Sequence, residues 1–65
     1  MNVTVNGQVH QLPDQLDVAG LIALHKLTPD KVAVELNRRL LRGEKYSTPL
    51  KEGDEVEIVT FVGGG

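Results

Sequence analysis

The sequence predicts an α+β fold, a mixed sheet of four to five strands with one main helix packed across it. Three observations point there. Apolar residues recur with period two near both ends of the chain. They recur at helical spacing once, between Leu16 and His25. An Asn-Gly pair separates the first two strand-like runs, and that pair is the strongest short hairpin signal a sequence offers.

Met1, Val3 and Val5 alternate with Asn2, Thr4 and Asn6, which predicts a strand. Asn6-Gly7 turns it, because both residues tolerate the positive φ of a type I′ turn. The returning strand is expected from about Gln8 to Leu12. Two registers fit it: a two-residue loop places His10 and Leu12 on the face of Val3, whereas a bulged three-residue loop places Val9 there. Leu12-Pro13-Asp14 breaks the strand, and Asp17 is the expected N-cap of the helix. Leu16 and Leu21 stand at the two positions of a hydrophobic staple. Val18, Leu21, Ile22 and His25 form the apolar stripe, with Leu24 widening it. Gly20 costs the helix about 1 kcal/mol relative to alanine, tolerable where the backbone passes close to the sheet. Thr28-Pro29 is expected to end the helix.

Val32-Ala33-Val34-Glu35-Leu36 reads as the next strand, buried enough to lose strict alternation. Asn37-Arg38 turns it into a short edge strand, Arg39-Leu40-Leu41. Arg42 to Pro49 is an irregular crossing. Lys51-Glu52-Gly53-Asp54 is a turn, and Glu55 to Val62 is the last strand. A hairpin cannot bury its own face, so one helix must lie across a sheet made by all the strands. That order is the β-grasp, or ubiquitin-like, fold. The expected organisation is a β-grasp domain over residues 1–62 and a flexible glycine tail over 63–65.

With 65 residues and no cysteine, the chain has neither disulfides nor a Cys-ligated zinc to stabilise it. Tyr46 and Phe61 are its only aromatic residues, so the core must be aliphatic and closely packed. A net charge of −2 argues against a nucleic-acid binder, which requires a basic stripe. No run approaches the roughly 20 apolar residues of a membrane span, and no signal-peptide pattern opens the chain, so a cytoplasmic protein with no membrane partner is expected.

The sheet pattern stops at Val62, and Gly63-Gly64-Gly65 follows with no linker between. Terminal glycines are often mere linker. Here, however, they project from the strand that this fold places centrally. A carboxylate is a poor electrophile and must be activated, for example as a mixed anhydride with AMP. Glycines, having no Cβ, can thread the channel that an activating enzyme needs. Three residues reach about 10 Å beyond the globular body. Gly65 is therefore the candidate group-carrying residue, and Gly63 and Gly64 are the candidate threading residues.

The run Val56-Glu57-Ile58-Val59-Thr60-Phe61-Val62-Gly63-Gly64-Gly65 resembles the C-terminus of the ThiS family, the sulfur carriers of thiamine biosynthesis. Val3-Thr4-Val5-Asn6-Gly7, Val32-Ala33-Val34-Glu35-Leu36-Asn37 and Leu50-Lys51-Glu52-Gly53-Asp54 also match, so the resemblance spans essentially the whole chain. Arg38 departs from it, because the family usually has glycine after the asparagine. A left-handed arginine there carries strain of about 1 kcal/mol. The resemblance implies that a ThiF-like adenylating enzyme, using ATP and magnesium, converts the Gly65 carboxylate to an acyl-adenylate. Sulfur from a cysteine desulfurase, by way of persulfide chemistry, then displaces AMP to leave a Gly65 thiocarboxylate, and a ThiG-like thiazole synthase takes that sulfur into the thiazole ring of thiamine. On this reading the chain is a carrier and no enzyme, and it binds no cofactor of its own.

Other readings remain open at this level. A molybdopterin-synthase-type sulfur carrier shares the fold and the glycine end, although such chains tend to be longer. A noncatalytic β-grasp interaction module would have an incidental tail, and a protein modifier would leave isopeptide adducts on lysines. His10 and His25 are far apart in the pattern, and both are read as structural or surface residues, with no metal site expected. No Ser or Lys has the setting of an activated nucleophile, and no phosphate-binding loop is present. Strict alternation sends Val59 and Phe61 to the face opposite the helix; together with Val62 they are the candidate partner-docking residues. The competing arrangement is a bulge that tucks Phe61 against the edge of the fold. Asp54, Glu55 and Glu57 are read as an acidic rim, either a solvated strand face or a guide for basic partner surfaces. Arg38, Arg39, Arg42 and Lys45 are read as a wet turn and edge, where positive charge discourages strand pairing.

Overall fold

The computed structural model describes residues 1–61. Val62 and the expected tail, residues 63–65, lie outside the described residues. Five strands and one α-helix follow in the order β1 (Asn2–Val5), β2 (Gln8–Gln11), α1 (Val18–Leu24), β3 (Val32–Leu36), β4 (Arg39–Leu41) and β5 (Glu55–Thr60). They form one mixed sheet in the order β2-β1-β5-β3-β4. Only the β1–β5 pair is parallel. This is the β-grasp architecture, and it seats β5 in the middle of the sheet.

The first hairpin takes the two-residue loop. Val5 pairs with Gln8 and Val3 with His10, and Asn6 and Gly7 turn at φ of 50° and 83°. Leu12 accordingly joins Val3 in the core, while Val9 points to solvent. The second hairpin repeats the device: Leu36 pairs with Arg39, and Asn37 and Arg38 sit at φ of 51° and 70°. Arg38 therefore does occupy the left-handed region that glycine would fill without strain.

Helix α1 begins as expected. Asp17 caps it, with Oδ1 accepting the Gly20 amide at 2.7 Å. The amides of Val18 and Ala19 donate to the carbonyls of Thr48 and Tyr46, and Leu21 donates to Asp17. Three orphan donors of the first turn, those of Val18, Ala19 and Gly20, are thus satisfied, two of them by the crossing segment, and Leu21 makes the first intrahelical bond. Gly20 owes nothing to the sheet: a Cβ there would come within 2.5 Å of Leu16 Cδ1 and 3.2 Å of Asp17 Oδ1. The glycine lets the Leu16 staple fold over the helix start. Gly20→Ala is expected to change stability by less than about 1 kcal/mol in thermal melts, since displacing the end of the Leu16 side chain offsets a helix-propensity gain of about 1 kcal/mol.

The helix stops earlier than Thr28-Pro29. His25 is the C-cap, and Lys26 turns left-handed at φ 58°. The Lys26 amide donates to Ala23 and the Leu27 amide to Ile22, the bond pattern of a Schellman ending. Pro29 instead opens a 3₁₀ turn, Pro29–Lys31. The widened stripe is also corrected: Leu24 is 57% exposed and His25 is exposed, while Leu27 folds back against the core.

The core comprises Val3, Val5, Leu12, Val18, Leu21, Ile22, Val32, Val34, Tyr46, Leu50, Val56 and Ile58. Tyr46 comes from the crossing, which contains a 3₁₀ turn at Gly43–Lys45, and Leu50 directly follows it. Strand β3 keeps its alternation, with Val32 and Val34 buried and Glu35 exposed; the expected loss of alternation fails because α1 covers only one face of the sheet. Among the described residues, no helix is long and apolar enough to cross a membrane.

Candidate functional site: the open sheet face at the end of β5

Strand β5 sorts its residues by parity. Val56 and Ile58 enter the core; Glu55, Glu57 and Val59 point to the uncovered face. Val59 is 59% exposed and Phe61, just past the strand, 56%. The Phe61 amide donates to the Lys31 carbonyl at 2.9 Å, so the chain stays in line beside β3 and Phe61 is not tucked under an edge. Ala33 lies opposite Val59 and is partly buried. An apolar patch thus adjoins the point where the chain leaves the described body toward Val62 and the glycines.

Behind the patch runs an acidic row. Glu35 pairs across the sheet with Glu57, and Glu55 pairs with Thr4 of β1. Together with Gly7 and Arg38 these four line a shallow depression. The Arg38 Nε lies 3.9 Å from Glu55 Oε1, both side chains being largely in solvent, so the pair adds little stability. Asp54 does not belong to this row. Its Oδ2 accepts the Lys51 amide at 2.8 Å and its Oδ1 accepts Asn37 Nδ2 at 3.1 Å, closing the turn before β5. Glu35, contributed by the neighbouring strand, takes its place beside Glu55 and Glu57. Like charges opposed on a sheet face are unfavourable, and a basic partner surface would relieve them.

The two histidines are brought together, contrary to the sequence reading. Their ring centroids are 5.7 Å apart in an edge-on arrangement, and His25 Nδ1 lies 3.1 Å from the Leu21 carbonyl. The hairpin delivers His10 on the helix side of the sheet while the helix ends beside it, a long-range meeting that no local spacing encodes. Among the described residues, no group of three or more His, Cys, Asp or Glu is placed to hold a metal ion.

Two side chains with structural work at this site were read only as turn formers. Asn6 Oδ1 accepts the Ile58 amide at 2.7 Å, and its Nδ2 donates to the Ile58 carbonyl at 3.2 Å. Asn37 Oδ1 accepts the Glu55 amide at 2.9 Å. The repeated asparagine at the first position of each tight turn was the available signal.

Fold and surface define a ubiquitin-like domain whose central strand carries an apolar, acid-flanked face toward a glycine run. The comparisons narrow this class. The model of the ThiS family matches residues 3–65, and the chain belongs to that family. The crystal structure of thiamine biosynthesis protein ThiS from Geobacter metallireducens superposes with a TM-score of 0.83 at 39% identity, covering all of both chains. The solution structure of a thiamine biosynthesis protein from the same organism gives the same score and identity over 88% of its chain. A thiazole synthase of Magnetococcus marinus is 36% identical over 66 aligned positions, and the uncharacterized protein Ycf40 of Porphyra purpurea is 30% identical over 93% of its length. The chain spans only 20% of the thiazole synthases it resembles.

Proposed function

We propose that this protein is a sulfur carrier for formation of the thiazole ring of thiamine, working through the carboxylate of Gly65. The observation that carries the reading is the full-length likeness to ThiS, which extends through the glycine run to residue 65. The carboxylate attacks the α-phosphorus of ATP on a ThiF-like adenylating enzyme, and pyrophosphate leaves. The terminal sulfur of a persulfide originating from a cysteine desulfurase then attacks the acyl carbon and expels AMP. A thiol reductant cleaves the resulting acyl disulfide, and the thiocarboxylate so released is consumed by a ThiG-like thiazole synthase. ATP and magnesium are bound by the adenylating enzyme, and the reaction belongs in the cytoplasm. The kinship of this chain to a fifth of the thiazole synthases supports a working relation with that enzyme.

Within this scheme Gly63 and Gly64 thread the activating channel, being the residues with least bulk at any backbone geometry. Val59, Phe61 and Val62 dock the partner, and the row of Glu35, Glu55 and Glu57 favours a basic rim on it. Phe61→Asp is expected to raise the KM of the adenylating enzyme for the carrier by about tenfold or more, the loss typical of a buried aromatic anchor. The melting temperature should hardly move, because Phe61 lies outside the core.

The deciding experiment is intact-protein mass after incubation with ATP, a ThiF-like enzyme and a sulfur donor. A shift equal to exchanging one oxygen for sulfur, located at Gly65 and absent without ATP, establishes the carrier. An unchanged mass, with each enzyme proven active on its own carrier, overturns it and favours an interaction module.

A further inference from the structure

Alternate residues of β5 turn their backbone groups to opposite neighbours. Glu55 and Phe61 face the β3 side, where the Asn37 amide reaches the Glu55 carbonyl at 2.7 Å and the Phe61 amide reaches Lys31. Asp54, Val56 and Ile58 face β1: the amides of Thr4 and Asn6 donate to the carbonyls of Asp54 and Val56, each at 2.9 Å. Backbone pairing with β1 ends there, since the chain turns away at Asn6-Gly7. The next pair of backbone groups on that side, the amide and carbonyl of Ile58, is met by the Asn6 side chain instead. Its carboxamide supplies one acceptor and one donor, as a further strand residue would.

From this geometry we infer that Asn6 is a positioning residue for the glycine tail: it extends the β1 ladder by one artificial rung and holds the distal half of β5 on its course toward the exit. The inference rests on the carrier reading for its kinetic consequence, and on the geometry alone for its structural one. Asn37 provides an internal control. It occupies the same place in an equivalent turn and also bonds β5, but at Glu55, the end away from the tail.

Glycine suits both positions of a type I′ turn, so Asn6→Gly and Asn37→Gly remove each side chain while sparing each turn. In Asn6→Gly, amide exchange at Ile58 should accelerate at least tenfold and backbone order from Val59 to Phe61 should fall, with neither change in Asn37→Gly. With the adenylating enzyme, well below the melting point of either variant, Asn6→Gly should lower kcat by about tenfold while KM stays within about twofold, a loss in the range that small misplacements of a reacting group produce. Asn37→Gly should keep the wild-type kcat. Equal kinetics in the two variants, or unchanged order beyond Ile58 in Asn6→Gly, would overturn the assignment. Should Asn6→Gly not fold, Asn6→Asp retains an acceptor for the Ile58 amide but loses the donor; it must then show the same drop in kcat. If wild-type protein is never adenylated, the carrier reading fails, and the exchange and relaxation data still decide whether Asn6 holds the strand.

Discussion

One alanine added after Gly65 is expected to abolish ATP-dependent thiocarboxylate formation while leaving the melting curve unchanged. The added residue moves the carboxylate by about 3.5 Å, beyond any position from which it can attack an α-phosphorus seated for the natural terminus. It also brings a Cβ into a passage shaped for glycine. Every core residue lies at or before Ile58, so the folded body has no reason to respond. Intact mass with and without ATP reads the chemistry, and a thermal melt reads the fold. Conversion at the wild-type rate would show that the chain end is not the reacting group.

The second large effect falls on stability. Leu21 is fully buried and among the largest side chains in the core. Leu21→Ala should cost about 3 kcal/mol, the transfer and cavity terms together. A domain of this size has roughly 3–10 kcal/mol in total, so the variant should melt about 12–24 °C lower or be partly unfolded at 37 °C. Leu24→Ala, three residues on, should shift stability by less than about 0.5 kcal/mol because that side chain already lies in solvent. Chemical denaturation of the pair checks both. Equal losses would mean that the helix presents a different face to the sheet.

The fold was legible because its local signals agree with one another. Asn6-Gly7, the alternation of β1 and β5, and the Asp17 cap each specify a backbone state within a few residues. The end of the helix was not, because a left-handed Lys26 gives no sign where glycine would. The chemical end of the site is proposed from the sequence alone, from three consecutive glycines after an amphipathic strand, and it lies outside the described residues. What escaped were meetings between distant segments: His10 with His25, Glu35 with Glu57, and Asn6 with Ile58. Each depends on which strands become neighbours, and strand order is set by the packing of the whole sheet rather than by any window of sequence. Asp54 shows the converse. Adjacency to Glu55 groups it with the acidic rim, yet turn geometry ties its carboxylate to the Lys51 amide and the Asn37 side chain.

The position of β5 also bears on how the molecule is made. It is the last described strand along the chain and the middle strand of the sheet. Until it emerges from the ribosome, β1–β2 and β3–β4 are two hairpins with no common partner, each too small to persist alone. A nascent chain therefore stays open until β5 has emerged, and a fragment broken off before Glu55 has nothing to close it. Degradation can clear such fragments. On the proposed carrier reading, a partner that recognises the assembled sheet would therefore meet only molecules in which the strand leading to the glycines has already been built.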